Sequence, residues 1–331
     1  MNNLKKLVIA AITMSFCSGA AKAADEVTMM LNWFPAADHS ALYLAREKGY
    51  YEDEGLDLEI RRGQGSSDAV AKIDLQQAEF GMADIPTILT AISKGADVVI
   101  VGIVYDKAAN NVFFRKSSGI ETVADLAGLK IATTPADSHR TLWPVLAAAN
   151  DVEEDSVTLV NVKPEGKHAI LVADRVDAVF DLYTGLPAFE KVIGKGEVGN
   201  LLFADNGVQL YGHGYFVHKD TIANNPEMVR GFLRATYKGW ADAYVDKEGA
   251  IDAVGKVVDG IRKEVYLEQL DIGLNLIITE RSREFGLGWI VPESMASTIE
   301  IARTGGKFGD TPVVLEDVYT NAFNSKIQVP D

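Results

Sequence analysis

The sequence has almost no cysteine, no long apolar run and no excess of basic residues, and each absence narrows what the protein can be. Its 331 residues contain one cysteine, Cys17, so disulfides and thiolate metal sites are excluded from the rest of the chain. The 32 lysines and arginines stand against 47 aspartates and glutamates, which gives a net charge of −15. That balance argues against binding to nucleic acid or to an anionic membrane surface, both of which need basic partners.

The first 23 residues have the pattern of a cleavable secretory signal peptide. Lys5 and Lys6 precede an apolar run over 7–16, and residues 21–23 supply small side chains at the −3 and −1 positions of a cleavage site. The run is shorter than the ~20 residues that a spanning helix needs, so a membrane anchor is the less favoured alternative. Cleavage after Ala23 leaves 308 residues, and the loss of three lysines takes the charge to −18. We therefore expect a monomeric protein exported to the periplasm.

Short apolar strands alternate with amphipathic helices from residue 27 onward, and this pattern predicts an α/β fold. Uninterrupted Val and Ile, as in 98–104, are typical of strands in a parallel sheet that is covered on both faces. The alternation of strands and helices resumes over 123–192. It is followed by a helical segment with a long helix at 226–245. The remainder from residue 250 is expected to be mainly helical and to pack back on the first unit.

This arrangement predicts two lobes, each a β-sheet flanked by helices, with a ligand cleft between them. The first lobe is completed by the C-terminal third of the chain, so two segments must cross between the lobes. The expected crossings are 110–114 and 211–216. The predicted domains are 1–23 as signal peptide, 24–110 with 215–331 as lobe 1, and 111–214 as lobe 2.

Polar and aromatic side chains of the first lobe follow strands or begin helices, where they would face this cleft. Asn32 and Trp33 follow the first strand and offer an amide and a flat ring. The loop 63–68 precedes a helix whose free N–H groups could receive an anion or a carbonyl oxygen. Lobe-edge packing for Trp33 and helix capping for the polar residues are the structural alternatives. The candidates are Asn32, Trp33, His39, Ser66, Ser67 and Asp84.

The second lobe offers a similar set. Asp137 and Ser138 link a strand to a helix, where an N-cap role explains them equally well. Glycines beside His213 permit a hinge at the return crossing. The candidates are Asp137, Ser138, Asp181, Tyr183, Tyr211 and His213.

The order and spacing of several short motifs resemble the substrate-binding proteins of ABC transporters. The closest branch is NMT1/ThiY-like and includes the binders of thiamine-pyrimidine precursors, while the SsuA-like sulfonate, taurine and nitrate binders are more distant. The resemblance implies a two-lobed type II periplasmic binding protein, a small-molecule ligand and an inner-membrane ABC permease as partner, without cofactor or metal. The motifs include Leu31-Asn32-Trp33-Phe34-Pro35, Lys48-Gly49-Tyr50-Tyr51, Phe80-Gly81-Met82-Ala83-Asp84, Asn225-Pro226-Glu227 and Val318-Tyr319-Thr320-Asn321.

The resemblance also implies roles for single residues. Tyr183 matches the tyrosine that stacks on the pyrimidine, opposite the aromatic residue of the first lobe, which is Trp33 here. In that branch an acidic residue one turn after the tyrosine pairs with the aminopyrimidine. The corresponding position here is Pro187, so Asp137 or Asp181 would have to replace the acid. The candidate residues include acids and no arginine, which disfavours a strongly anionic ligand. The expected ligand is a thiamine-pyrimidine precursor or a related neutral or amine-bearing, partly aromatic compound.

Besides a soluble receptor that feeds a sensor, two further functions are alternatives. A binder of a sulfonate, taurine-like or other small metabolite is the first alternative. An enzyme related to the fungal pyrimidine synthases is the second, but those synthases carry a cysteine-rich motif, and this chain has no cysteine after residue 17. Motifs of the HExxH and GxSxG kinds are absent too. The sequence therefore predicts a receptor and not an enzyme.

Overall fold

The computed structural model describes residues 24–330, so the predicted signal peptide lies outside the described residues. Within that range the strands form two five-stranded sheets. The strands are β1 (Asp25–Met30), β2 (Leu56–Arg61), β3 (Phe80–Asp84), β4 (Val98–Ile103), β5 (Asn110–Arg115), β6 (Lys130–Thr133), β7 (Thr158–Asn161), β8 (Ala178–Leu182), β9 (Val198–Leu202) and β10 (His213–His218).

Helices cover both sheets. The α-helices are α1 (Ser40–Glu47), α2 (Tyr50–Asp53), α3 (Ser66–Asp74), α4 (Ile85–Ile92), α5 (His139–Ala149), α6 (Lys167–Val172), α7 (Leu186–Ile193), α8 (Lys219–Asn224), α9 (Pro226–Val245), α10 (Lys247–Gly255), α11 (Lys263–Ile277), α12 (Glu280–Phe285), α13 (Pro292–Thr304) and α14 (Leu315–Val318). Every helix within residues 24–330 is too short or too polar to cross a bilayer.

Both sheets are mixed, although the Val and Ile runs predicted a parallel sheet. The first sheet has the order β2-β1-β3-β10-β4, and β10 runs antiparallel to both of its neighbours. The second has the order β7-β6-β8-β5-β9, in which β5 is antiparallel to β8 and β9. The strands β5 and β10 each enter their sheet directly from the other sheet. No crossover helix precedes them, so nothing imposes the parallel direction.

The chain passes between the sheets over 104–109 and over 203–212. The crossings predicted at 110–114 and 211–216 are therefore wrong in position. The first of these segments is β5 of the second sheet, and most of the second is β10 of the first sheet. The strands β5 and β10 each follow a strand of the other sheet without an intervening α-helix, so no strand–helix–strand pattern marks where the crossing ends.

The first sheet is buried between two layers of helices. On one face the rings of Phe80 and Phe232 stack with centroids 3.8 Å apart, and Trp240 of α9 donates a hydrogen bond to the Tyr215 hydroxyl at 3.1 Å. The C-terminal helices contribute Val254 and Met295 to the same lobe's core. The prediction that the C-terminal segment packs back on the first unit is confirmed.

Candidate functional site

A cavity of about 210 Å³ lies between the two lobes. It forms where β1 and β8 end and where α3, α5 and α6 begin, while α11 covers it from the side of the first lobe. Strand ends and helix starts present free polar groups, which explains why several polar side chains line the cavity at this place. Eight predicted residues line it: Asn32, Trp33, His39, Ser66, Asp137, Ser138, Asp181 and His213.

Four predicted residues do not line the cavity. Ser67 is exposed, and its backbone N–H donates to the carbonyl of Ala136 in the second lobe at 3.3 Å. Asp84 is buried behind the cavity, with one carboxylate oxygen 3.4 Å from Nε2 of His213. The Tyr211 hydroxyl accepts a hydrogen bond from the backbone N–H of residue 291, which anchors its ring in the first lobe.

Tyr183 is the fourth, and its position contradicts the aromatic pair expected with Trp33. Its backbone N–H donates to the Ala109 carbonyl at 2.7 Å. Its side chain packs against the hydrophobic cluster of the second lobe that contains Phe113 and Phe189. The Tyr183 ring therefore packs within its own lobe and does not line the cavity that Trp33 lines.

The side chain that faces Trp33 is Lys167, the first residue of α6. Its ammonium lies 4.7 Å from the centre of the Trp33 ring, 2.7 Å from Oδ2 of Asp137 and 4.0 Å from Oδ1 of Asp181. Burial opposes the charge, but the two carboxylates outweigh it and raise the pKa of Lys167. The lysine is therefore held as a cation. Sequence reasoning missed it because a lysine beside an amphipathic helix is ordinarily exposed to solvent.

Asp137 is also bonded to the ring of His139. Their Oδ1 and Nδ1 atoms are 2.6 Å apart, and both residues are buried. Burial would raise the pKa of Asp137, but Lys167 and His139 outweigh it and hold that pKa far below its usual range. Asp137 is thus a fixed anion whose charge the protein already balances.

On the first lobe, His39, Asn32 and His213 form a chain of hydrogen bonds. His39 Nε2 lies 2.9 Å from Asn32 Oδ1, and Asn32 Nδ2 lies 3.2 Å from His213 Nε2. Burial lowers the pKa of His39 to about 3, so its ring is neutral. The chain joins the end of β1, the start of α1 and the start of β10.

Asp38 was not predicted, although it precedes a candidate residue. It accepts a hydrogen bond from the hydroxyl of Thr184, across the cleft, at 3.1 Å. Burial raises the pKa of Asp38 in spite of nearby His213. Sequence reasoning also missed Tyr266, which α11 brings to the cavity.

The charges around the cavity do not balance. Within the described residues, the cavity is lined by three aspartates, Asp38, Asp137 and Asp181. It is lined by one charged amine, that of Lys167. Lys167 neutralises Asp137, and burial favours the neutral form of Asp38. Asp181 is the remaining carboxylate, and it favours a ligand with a positive charge. Residues 24–330 contain no group of three or more His, Cys, Asp and Glu side chains that could hold a metal ion.

The two lobes are in direct contact around the cavity. A Cβ atom added to Gly65 of the first lobe would lie 2.2 Å from the carbonyl oxygen of Ala136 in the second. Near the rim, Arg62 pairs with Glu165 at 3.0 Å. The structure therefore shows the cleft closed.

Comparison with known proteins gives several matches. Residues 36–250 match the family described as NMT1/THI5 like. The riboflavin-binding protein RibY of Chloroflexus aurantiacus is 25% identical over 325 residues, covering 95% of this chain and 90% of that protein. The formylaminopyrimidine-binding protein of Halalkalibacterium halodurans is 24% identical over 324 residues, covering 95% and 97%. Other relatives are named 4-amino-5-hydroxymethyl-2-methylpyrimidine phosphate synthases.

Solved structures share the fold. The alkanesulfonate-binding protein SsuA from Xanthomonas axonopodis pv. citri, bound to MOPS, matches with a TM-score of 0.69. The sequences are 18% identical, and the match covers 91% of this chain and 99% of that one. The predicted two-lobed fold of a periplasmic binding protein is thereby confirmed.

Proposed function

Because the chain belongs to the NMT1/THI5-like family, we propose that it is a periplasmic solute-binding protein that delivers a small amine-bearing aromatic ligand to an ABC importer. The family resemblance predicted from the sequence is confirmed. The observation that carries the proposal is the closed cavity between two lobes, in which the Trp33 ring lies beside more carboxylates than cations.

The size of the cavity supports a ligand with a single ring. The cavity measures about 210 Å³. Pockets for drug-sized ligands occupy roughly 300–1,000 Å³. A ring of pyrimidine size therefore fits this closed form better than a flavin does.

The charge of the cavity disfavours the sulfonate alternative. A sulfonate would bring a negative charge beside Asp38 and Asp181, and Lys167 is already paired with Asp137. Burying like charges together is costly unless one of them is neutralised. An amine or amidine gains from the same carboxylates.

The synthases among the relatives keep an enzyme as the second candidate. We propose binding without catalysis, since the amine in the cavity is poorly suited to nucleophilic chemistry. A reactive lysine needs a lowered pKa, whereas the pKa of Lys167 is raised by its carboxylate neighbours. Conversion of a bound ligand into product would contradict this proposal.

Export and partnership with a permease belong to the same proposal. The leader-like residues 1–23 support export, and we expect the periplasmic protein to be a monomer that begins at Ala24. Intact mass spectrometry of that protein tests the cleavage site. Retention of residues 1–23, or a lipid on Cys17, would contradict it.

Three probes of nearly equal shape test the ligand class. Calorimetry should give the highest affinity for benzamidine, which is a cation, a lower one for neutral benzamide and the lowest for anionic benzoate. Mass spectrometry of small molecules released when the protein from its native host is denatured should identify the natural ligand. Tighter binding of benzoate than of benzamidine would overturn the proposed ligand class.

A further inference from the structure

One backbone N–H group determines which ring nitrogens carry a proton in a hydrogen-bonded chain of side chains at the cavity. The backbone N–H of Ala36 donates to Nδ1 of His39 at 3.3 Å. A backbone N–H can only donate, so Nδ1 of His39 is the acceptor. In a neutral imidazole the proton is then on Nε2.

The next link determines the orientation of an amide. Nε2 of His39 lies 2.9 Å from Oδ1 of Asn32, and this distance suits an N–H donating to an oxygen. The opposite orientation of the Asn32 amide would place two donors against each other. Asn32 therefore directs Nδ2, which can only donate, toward Nε2 of His213 at 3.2 Å.

The last link determines where His213 carries its proton. Because Nε2 accepts from Asn32, the proton of the neutral ring is on Nδ1. The other neighbour of Nε2 is Asp84, whose Oδ2 lies 3.4 Å away. Nδ1 is the donor nitrogen of this neutral tautomer.

This donor has no partner within the described part of the chain. Nδ1 of His213 is among the buried side-chain atoms that make no hydrogen bond, and the residue is 2% exposed. The ring stacks on Tyr105 with centroids 5.1 Å apart, so it is held firmly, and His213 lines the ligand cavity. An unpaired buried donor is unfavourable, and at a binding cavity it points to an acceptor on the ligand.

We propose that Nδ1–H of His213 donates to an acceptor atom of the ligand, and that His39 and Asn32 are positioning residues that keep the proton there. This inference rests on the proposed function and narrows it. The ligand carries, besides its positive group, a ring nitrogen or a carbonyl oxygen. A ligand of the same shape with C–H at that place leaves the donor unpaired, so it should bind less tightly.

The protonation state can be measured without any ligand. Nitrogen chemical shifts of ¹⁵N-histidine in the mature protein distinguish protonated from unprotonated Nδ1. The chain has five histidines, and the signal lost in His213→Phe identifies the ring in question. We expect Nδ1 of His213 to be protonated. A neutral ring protonated on Nε2 alone would overturn the proposal, whatever the protein binds.

Binding of matched probes tests whether the donor is used. Benzamidine is compared by calorimetry with the pyridine-2-, pyridine-3- and pyridine-4-carboxamidines, which replace one ring C–H by nitrogen. At least one of these should bind about tenfold more tightly than benzamidine. His213→Phe should abolish that preference. Equal affinity of the four probes for the unmodified protein would overturn the proposal.

Asn32→Leu tests the positioning role. Without the amide donor, Nε2 of His213 can take the proton and donate to Asp84, which leaves Nδ1 unprotonated. Both the nitrogen shifts and the probe preference should change, whereas a merely structural role would alter stability alone. Unchanged shifts in Asn32→Leu would refute this role.

His218→Gln is the matched control. His218 lies on the same strand, but its partners are Gln76 and Asp220, outside the cavity. Its replacement should change neither the preference nor the His213 signal. Should no amidine bind at all, the proposed ligand class fails, and the nitrogen shifts still decide the tautomer.

Discussion

The ammonium of Lys167 lies 4.7 Å from the centre of the Trp33 ring, so a cation of one lobe meets an aromatic face of the other across the cleft. Such contacts contribute about 0.5–2 kcal/mol depending on desolvation. The same ammonium is 2.7 Å from a carboxylate oxygen of Asp137. One side chain thus connects the walls of the cavity and balances a buried acid.

Lys167→Met should destabilise the protein strongly. It leaves Asp137 buried without its cation, and loss of one partner of a buried pair typically costs about 3–5 kcal/mol in the free energy of unfolding. Lys191→Met is the control, because Lys191 and Glu264 are exposed and 4.0 Å apart. It should change the free energy by less than about 1 kcal/mol. Urea denaturation measures both, and equal losses would contradict the role given to Lys167.

Trp33→Leu and Tyr183→Leu should affect ligand binding differently. Trp33 lines the cavity, so its loss should weaken benzamidine binding by about tenfold or more, since buried area and ring contact are both reduced. Tyr183 packs in its own lobe, so its replacement should lower the melting temperature and leave the affinity of the folded protein nearly unchanged. Calorimetry with melting curves separates the two. A larger loss of affinity in Tyr183→Leu than in Trp33→Leu would support the aromatic pair predicted from the sequence.

Asp38→Asn should change the pH dependence of stability. Burial raises the pKa of Asp38 above its ordinary value. Below an ordinary pKa of about 3.9 the carboxyl is protonated in both the folded and the unfolded state, and its neutral form is easily buried. As the pH rises through the higher folded pKa, the unfolded state loses its proton first, and stability falls.

The asparagine variant lacks this fall. Its free energy of unfolding should exceed that of the unmodified protein at neutral pH, and the two should converge near pH 4. Benzamidine should bind less tightly, since a carboxylate is lost. Urea denaturation at several pH values is the measurement, with exposed Asp155→Asn as control. A variant that is less stable at neutral pH would show that Asp38 is a favourable anion.

Gly65→Ala should prevent the lobes from closing. The new Cβ would lie 2.2 Å from the carbonyl oxygen of Ala136 in the other lobe. Gly95→Ala is the control, because Gly95 also has a positive φ, +99° against +138°, but no atom within 4 Å of the added Cβ. Both variants should lose some stability from backbone strain. Only Gly65→Ala should enlarge the radius of gyration in small-angle scattering and weaken ligand binding.

Local patterns in the sequence were sufficient for many elements. The long helix predicted at 226–245 has the same bounds in the structure. Apolar periodicity and a proline at the start of α9 act within a few residues of each element, so the sequence contains the whole signal. The strands β5 and β9 were missed because their pairing depends on each other and on the distant β8.

For a similar reason, the sequence predicted some residues of the candidate site and missed others. Asn32 lies two residues after β1 and Asp137 two residues before α5, so topology alone places them at the cleft. The roles of Lys167 and Tyr183 depend on the direction of a side chain at a turn or helix start, which packing decides. Tyr266 belongs to a helix far along the chain, and no local signal connects it with the cleft.

The position of β10 has a consequence for the order of folding. It lies between β3 and β4, yet it begins about 110 residues after β4 ends. The second sheet is contiguous from 110 to 202, so shorter loops close it and it should form first. Before β10 pairs with it, β4 has no hydrogen-bonded neighbour in its sheet. The lobe that contains the N-terminus of the described chain is therefore the last to become complete.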